Sequence, residues 1–188
     1  INDIKLVVLN CVLADTDVSK LPTFDFEYIF IKLRARSVNN IVNLLVTDVD
    51  DGKKYEVQGD LDEAEVSFEG CTSPNIEIKD GVGVVLKYPN FDDLVDIIKM
   101  KSGGDKASKI LIRSIDKIYA GDEVFSPNDY PETEIAEWLE NIDVHAMKKV
   151  RTFFETMPKV TSTIKYFNSE KQEKEVKLEG LKDFFSFA

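Results

Sequence analysis

Pro22-Thr-Phe-Asp-Phe-Glu-Tyr-Ile-Phe-Ile-Lys-Leu-Arg-Ala-Arg36, followed by the alternating run Val42, Leu44 and Val46 and the turn Asp51-Gly52, decides how this chain is built. At about 100° per residue, Phe24, Tyr28 and Ile31 fall on one side of a helix, and Phe26, Ile29, Phe30 and Leu33 on the other. Two charged stripes separate them: Asp25, Lys32 and Arg36, then Glu27 and Arg34. Such a helix must be covered on both faces, so it is expected at the centre of the fold, its second face meeting preceding chain or a partner. After it, residues 41–58 read as a β-hairpin, with Gly52 supplying the positive φ of the turn and Tyr55 and Val57 on the returning strand.

The neighbouring stretches follow the same logic. Upstream, Asp3 to Leu13 spaces Ile4, Val7, Val8 and Cys11 as an amphipathic helix, closed by Asp15-Thr16-Asp17. Downstream, Leu61 to Phe68 alternates, and Ile76 to Ile78 and Val82 to Tyr88 are strands around Asp80-Gly81. Asn90 caps a helix carrying Phe91, Leu94, Val95 and Ile98, which Gly103-Gly104 stops. Ala107, Ile110, Leu111, Ile115 and Ile118 predict a further helix, and residues 120–131 a loop. Pro131 opens a helix packed through Ile135, Trp138, Leu139 and Ile142; Asp143 caps the next, which Pro158 ends. Val160 to Asn168 and Glu173 to Leu178 form a second hairpin, and Leu181 to Phe187 a short aromatic helix. Thus an aromatic-rich helix leads into a polar-tipped hairpin twice. Helices and strands are segregated rather than alternating, which predicts an α+β fold with two or more β-hairpins in small antiparallel sheets. The 188 residues are expected to form one domain, or two lobes at 1–89 and 90–188. The opening Ile1-Asn2-Asp3, with no Met and an immediate amphipathic pattern, leads us to expect an N-terminal segment before it.

Composition narrows the function. The formal charge is -11, and residues 41–100 hold 14 acidic against 5 basic side chains. No basic patch is readable, which argues against nucleic acid as a partner. No apolar run approaches the ~18 residues of a membrane span. Cys11 and Cys71 are too few for a disulfide framework, which points to a reducing compartment.

The candidate chemistry is thin. Asp48, Asp50, Asp51, Asp60 and Asp62 could offer a hard cation several carboxylates, but aligning Gly52 with the glycine of a calcium loop puts Thr47 and Val49 on ligand positions. The competing reading is a solvated hairpin tip. His145 is the single histidine, and no Gly-x-Ser-x-Gly presents a nucleophile to it. Cys11, Cys71 and His145 lack the count and spacing of a zinc site. Gly81-Val82-Gly83 resembles the start of a phosphate loop but lacks the third glycine and the following helix, so it reads as a turn. No catalytic, cofactor-binding or metal-ligating set emerges.

Two stretches carry a resemblance. Leu21 to Val38 is similar to the signature helix of the baseplate hub assembly family of T-even bacteriophages. Phe153-Phe-Glu-Thr-Met-Pro-Lys159, the hairpin after it and Leu178-Glu-Gly-Leu-Lys-Asp-Phe-Phe185 resemble that family's ending. The resemblance implies a non-enzymatic protein without cofactors, working in the host cell cytoplasm during phage assembly. Its partners would be other phage baseplate hub proteins, in a homo- or hetero-oligomer, with neither nucleic acid nor membrane. Some relatives carry cysteine pairs in the hairpins where a metal could bind; Thr47 to Asp51 and Lys165 to Ser169 contain none, which puts a zinc role here in doubt.

The expected activity is therefore chaperone-like: holding hub proteins while the baseplate hub is built. Arg34, Arg36, Phe184, Phe185 and Phe187 are the expected partner-interface residues. For the arginines the alternative is a solvated stripe pairing nearby acids; for the phenylalanines it is folding back onto the core. Three rival readings stand beside this one: a permanent structural subunit of the hub, a carboxylate-metal hydrolase built on Asp48 to Asp62, and an acidic nucleic-acid mimic.

Overall fold

The computed structural model describes residues 2–13, 17–100 and 106–185. Among them are seven α-helices and nine strands, in antiparallel sheets of two, three and four strands, so the chain is an α+β protein. By contacts it divides into two compact units: one of residues 1–18, 24–68 and 158–188, the other of residues 19–23 and 69–157.

The first unit contains helix α1 (Asn2–Cys11), helix α2 (Thr23–Ser37) and the hairpin β1 (Ile41–Thr47) and β2 (Lys54–Asp60). It also holds the short strand β3 (Glu65–Ser67), and from the far end of the chain β8 (Lys159–Phe167), β9 (Glu173–Glu179) and helix α7 (Gly180–Phe185). Strands β3, β8 and β9 form one sheet, in that order. Helix α2 is covered on both sides, as its two apolar faces require. Phe26 and Ile31 have no exposed surface, and Ile29, Phe30 and Leu33 are half-buried. Ile31 and Ala35 enter a core with Val42 and Leu44 of β1, Val57 of β2, Ile164 of β8 and Leu178 of β9. Gly59 of β2 lies where a side chain would be too large: a Cβ there would come within 2.8 Å of Ile164 Cδ1. That close approach lets the two hairpins share a core.

The second unit contains β4 (Asn75–Lys79), β5 (Val82–Leu86), β6 (Ile115–Ala120) and β7 (Glu123–Phe125), paired in that order. Its helices are α3 (Phe91–Lys99), α4 (Lys106–Arg113), α5 (Glu132–Glu140) and α6 (Val144–Glu155). The expected caps form: Asn90 accepts from the Asp93 amide at 2.9 Å, and Asp143 from His145 and Ala146. Leu86, Leu111, Ile135, Leu139, Val150 and Phe153 build the core, with Tyr88 stacked flat on Phe153 at 5.1 Å between ring centroids.

Some expectations need correction. The helix predicted through Ile118 stops at Arg113, and Ile115 and Ile118 belong to strand β6. Pairing with β5 overrides the helical spacing, and the Ser114 carbonyl accepts the Lys87 amide at 2.7 Å where the chain turns. The loop predicted at 120–131 contains strand β7 and a 3-10 turn at Pro127–Asp129. Leu61–Glu63 is likewise a 3-10 turn, leaving only Glu65–Ser67 as strand in the alternating stretch. Of residues 3–11 in α1 only Val8 is buried, while Val7 and Cys11 are exposed. Gly81 is a turn residue at φ 73°, as expected.

Gly83 lies inside β5, where a Cβ would overlap the Tyr119 hydroxyl that donates to Asn75 Oδ1 at 2.9 Å. Gly83→Ala is expected to destabilise the protein by about 1–3 kcal/mol, the ordinary cost of overpacking a fitted site. Urea unfolding measures it, and Tyr119→Ala in the same chain should recover part of the loss.

Candidate functional site

The acidic tip of the first hairpin is built as a clasp onto the tip of the second. Both hairpin tips are closed by a side chain that captures backbone amides. Asp48 Oδ1 accepts from the Asp50 amide at 2.8 Å, and Gly52, at φ 67°, donates its amide to the Asp48 carbonyl. In the second hairpin Asn168 Oδ1 accepts from the Glu170 and Gln172 amides, both at 3.0 Å, and Lys171 takes the positive φ. Each is a local turn that short polar side chains stabilise.

The two tips then join. Tyr166 donates its hydroxyl to Asp48 Oδ2 at 3.0 Å, and Ser169 donates to Asp51 Oδ2 at 3.0 Å. The Ser169 amide donates to the Tyr55 hydroxyl at 2.8 Å, and that hydroxyl donates in turn to Asp51. Lys174 forms an ion pair with Asp50, and Lys53 Nζ donates to Ser169 Oγ at 2.9 Å. The Tyr55 and Tyr166 rings lie 5.6 Å apart, against the core of the unit.

The electrostatics follow from this geometry. Asp48 is only 2% exposed, yet its carboxyl is held below the usual carboxylate range, first by the Asp50 amide and further by the Tyr166 hydroxyl. Asp51 is held down first by the Tyr55 hydroxyl and then by the Lys53 amide. Lys174 is held above its ordinary value, mainly by its hydrogen bond to Asp50. Hydrogen bonds to the ionised form thus outweigh desolvation.

The solvated-tip reading of the cluster holds for Asp50 and Asp62, which are exposed, but not for Asp48, which is buried. The cluster does not converge on a cation either: Asp48, Asp50 and Asp51 are taken up by the clasp, Asp60 caps a 3-10 turn through the Asp62 amide at 2.8 Å, and Asp62 pairs with Arg36. Among the described residues no group of three or more His, Cys, Asp and Glu side chains is placed to hold a metal ion.

The expected interface residues are differently placed. Arg34 donates to the Asn39 carbonyl at 2.9 Å, and Arg36, largely exposed, pairs with Asp62 at 3.5 Å. Phe184 is 1% exposed and belongs to the core, so its ring is not available to a partner. The short helix α7 turns it inward; Glu27 of α2 accepts the Leu181 amide at the start of that helix, and burial raises the Glu27 carboxyl above its ordinary value. Phe185 is half-buried, with its ring edge-on to Phe30 at 5.6 Å. Phe187 lies outside the described residues. His145 is exposed, and Cys11 and Cys71 are free thiols.

Two hollows of the second unit escaped the sequence reading, because each is assembled from several elements. One is an apolar groove of about 650 Å3 between α3, α4, α5 and α6, lined in part by Leu94, Leu111, Met147 and Phe154. The other is an aromatic recess beside α5.

Fold and clasp together define an α+β protein in which the acidic tip of one hairpin joins it to another. A family model described as T4 bacteriophage base plate protein matches residues 1–186, so the chain belongs to that family of phage baseplate proteins. No curated protein and no solved structure is detectably similar to it. No helix among the described residues is long and apolar enough to cross a membrane.

Two outcomes follow from the site. Because the Asp48 and Asp51 carboxyls are lowered on folding, the clasp stabilises fully above the unfolded carboxylate value near pH 4 and is lost as pH falls through the lower folded values. Glu27, raised by burial, acts with the opposite sign, so comparison of variants isolates the clasp. Tyr166→Phe should lower the thermal midpoint by roughly 2–4 °C at pH 7, and by less at pH 3. Phe184→Ala should cost about 3–5 kcal/mol in chemical unfolding, as for a buried ring; a change under about 0.5 kcal/mol, typical of exposed positions, would contradict its core placement.

Proposed function

We propose that the protein is a non-enzymatic morphogenesis factor that binds hub proteins of the phage baseplate and assists assembly of the central hub in the host cell cytoplasm. Membership of the baseplate family carries the reading, because it implies contact with other phage baseplate proteins. The use of the acidic cluster as a clasp supports a binding role over a hydrolytic one, since its carboxylates are committed to hydrogen bonds and ion pairs within the chain. Helix α1 supports it too: Leu6, Val7 and Leu9 are 58%, 47% and 38% exposed, and grouped apolar side chains of this kind suit a protein surface. In mechanism, the protein would favour the incomplete hub over the finished one, and that difference in affinity would drive its release.

Co-expression with the other baseplate proteins, followed by affinity capture and mass measurement, tests this. A defined complex with hub proteins is expected, together with absence of the chain from purified virions. Stoichiometric presence in virions would instead make it a permanent hub subunit, and a lone monomer under co-expression would overturn the binding reading.

A further inference from the structure

Residues 118–147 carry eight carboxylates and no lysine or arginine. Within this stretch three rings line one recess of about 320 Å3: Phe125 at the end of β7, Tyr130 after the following 3-10 turn, and Trp138 on α5. Phe125 and Tyr130 meet edge to face at 6.4 Å. Tyr130 is 42% exposed and Phe125 and Trp138 are half-buried, so the rings border solvent. Glu134, exposed on the first turn of α5, lines the same recess, and no lysine or arginine among the described residues pairs with it.

Val82, Ile118, Ala120 and Ile135 complete the lining, and its aromatic and acidic part favours a cation. Aromatic faces present negative potential, and a cation within about 6 Å of a ring centroid is attracted to it. The Glu134 carboxylate and the field of the surrounding acids add to that attraction and repel anions. A neutral apolar group would leave both unused. A guanidinium satisfies both demands, since its plane stacks on a ring while its N–H fork meets a carboxylate. We propose that this recess receives an arginine side chain from a partner protein. The inference rests on the binding role proposed above, and it names the chemistry of one contact.

Trp138 is the only tryptophan, so its fluorescence reports on the recess directly. The full chain, alone in solution at fixed ionic strength, is titrated with acetyl-Gly-Arg-Gly amide and with the same peptide carrying neutral citrulline. A saturable change with the arginine peptide is expected, and none with citrulline. Tyr130→Leu and Glu134→Gln, both at exposed positions, should each weaken binding roughly two- to five-fold. Absence of a saturable change, an equal response to citrulline, or undiminished binding by both variants would overturn the proposal. Because no hub protein takes part, such a failure leaves the assembly reading to stand or fall on its own co-expression experiment.

Discussion

A carboxylate that is 2% exposed must find hydrogen bonds inside the protein, and Asp48 finds them in two places at once. One oxygen is used locally, on the amides of its own turn; the other waits for Tyr166, 118 residues further along the chain. The first contact shapes the tip of one hairpin, and the second fixes where the other hairpin must lie. With the tips joined, β1 and β2 present Val42, Leu44 and Val57 to Ile164 and Leu178, and the gap at Gly59 admits the Ile164 side chain. The register of both hairpins is thereby tied to one buried charge, since a one-residue slip would turn every inward side chain outward.

Helix α2 imposes the complementary requirement. Its two apolar faces cannot both be covered by a single hairpin, and the first unit answers with elements from distant parts of the sequence. Ile31 and Ala35 meet the shared core, Phe30 meets Phe185 of α7, and Phe24 meets Phe68 at 6.0 Å. Glu27, on one of the charged stripes, is half-buried but gains the Leu181 amide as a donor. A polar stripe on a central helix is thus tolerated because it serves the start of another helix.

The local grammar of the chain was readable in advance. Both hairpins, the double-faced helix and the caps Asn90 and Asp143 follow from spacing and side-chain chemistry, and the structure contains them. What the sequence concealed depends on partners far along the chain. Ile115 and Ile118 continue a helical period, and only the neighbouring strand β5 makes them a strand. Asp48 looks like any acid at a turn until Tyr166 arrives, and Phe184 looks like a terminal ring free to dock until α7 is seen to fold it inward. The aromatic recess was hidden for the same reason: Trp138 has helical core spacing, but its exposed edge is set by Phe125 and Tyr130 from the segment before α5.

The composition of the first unit also has a consequence in time. Its core draws on residues 24–68 and on the final segment from residue 158, whereas the core of the second unit lies within residues 76–154. A ribosome delivers these pieces in order, and domains generally fold as their chain emerges. The second unit therefore has its full complement of core residues while the first still lacks β8, β9 and Phe184. Until β8, β9 and α7 have been made, α2 and the first hairpin hold an apolar surface without its cover. Residues 159–185 thus close the first unit well after its other parts are made, and a chain cut before them leaves that unit open and prone to the proteolysis that clears unfolded chains.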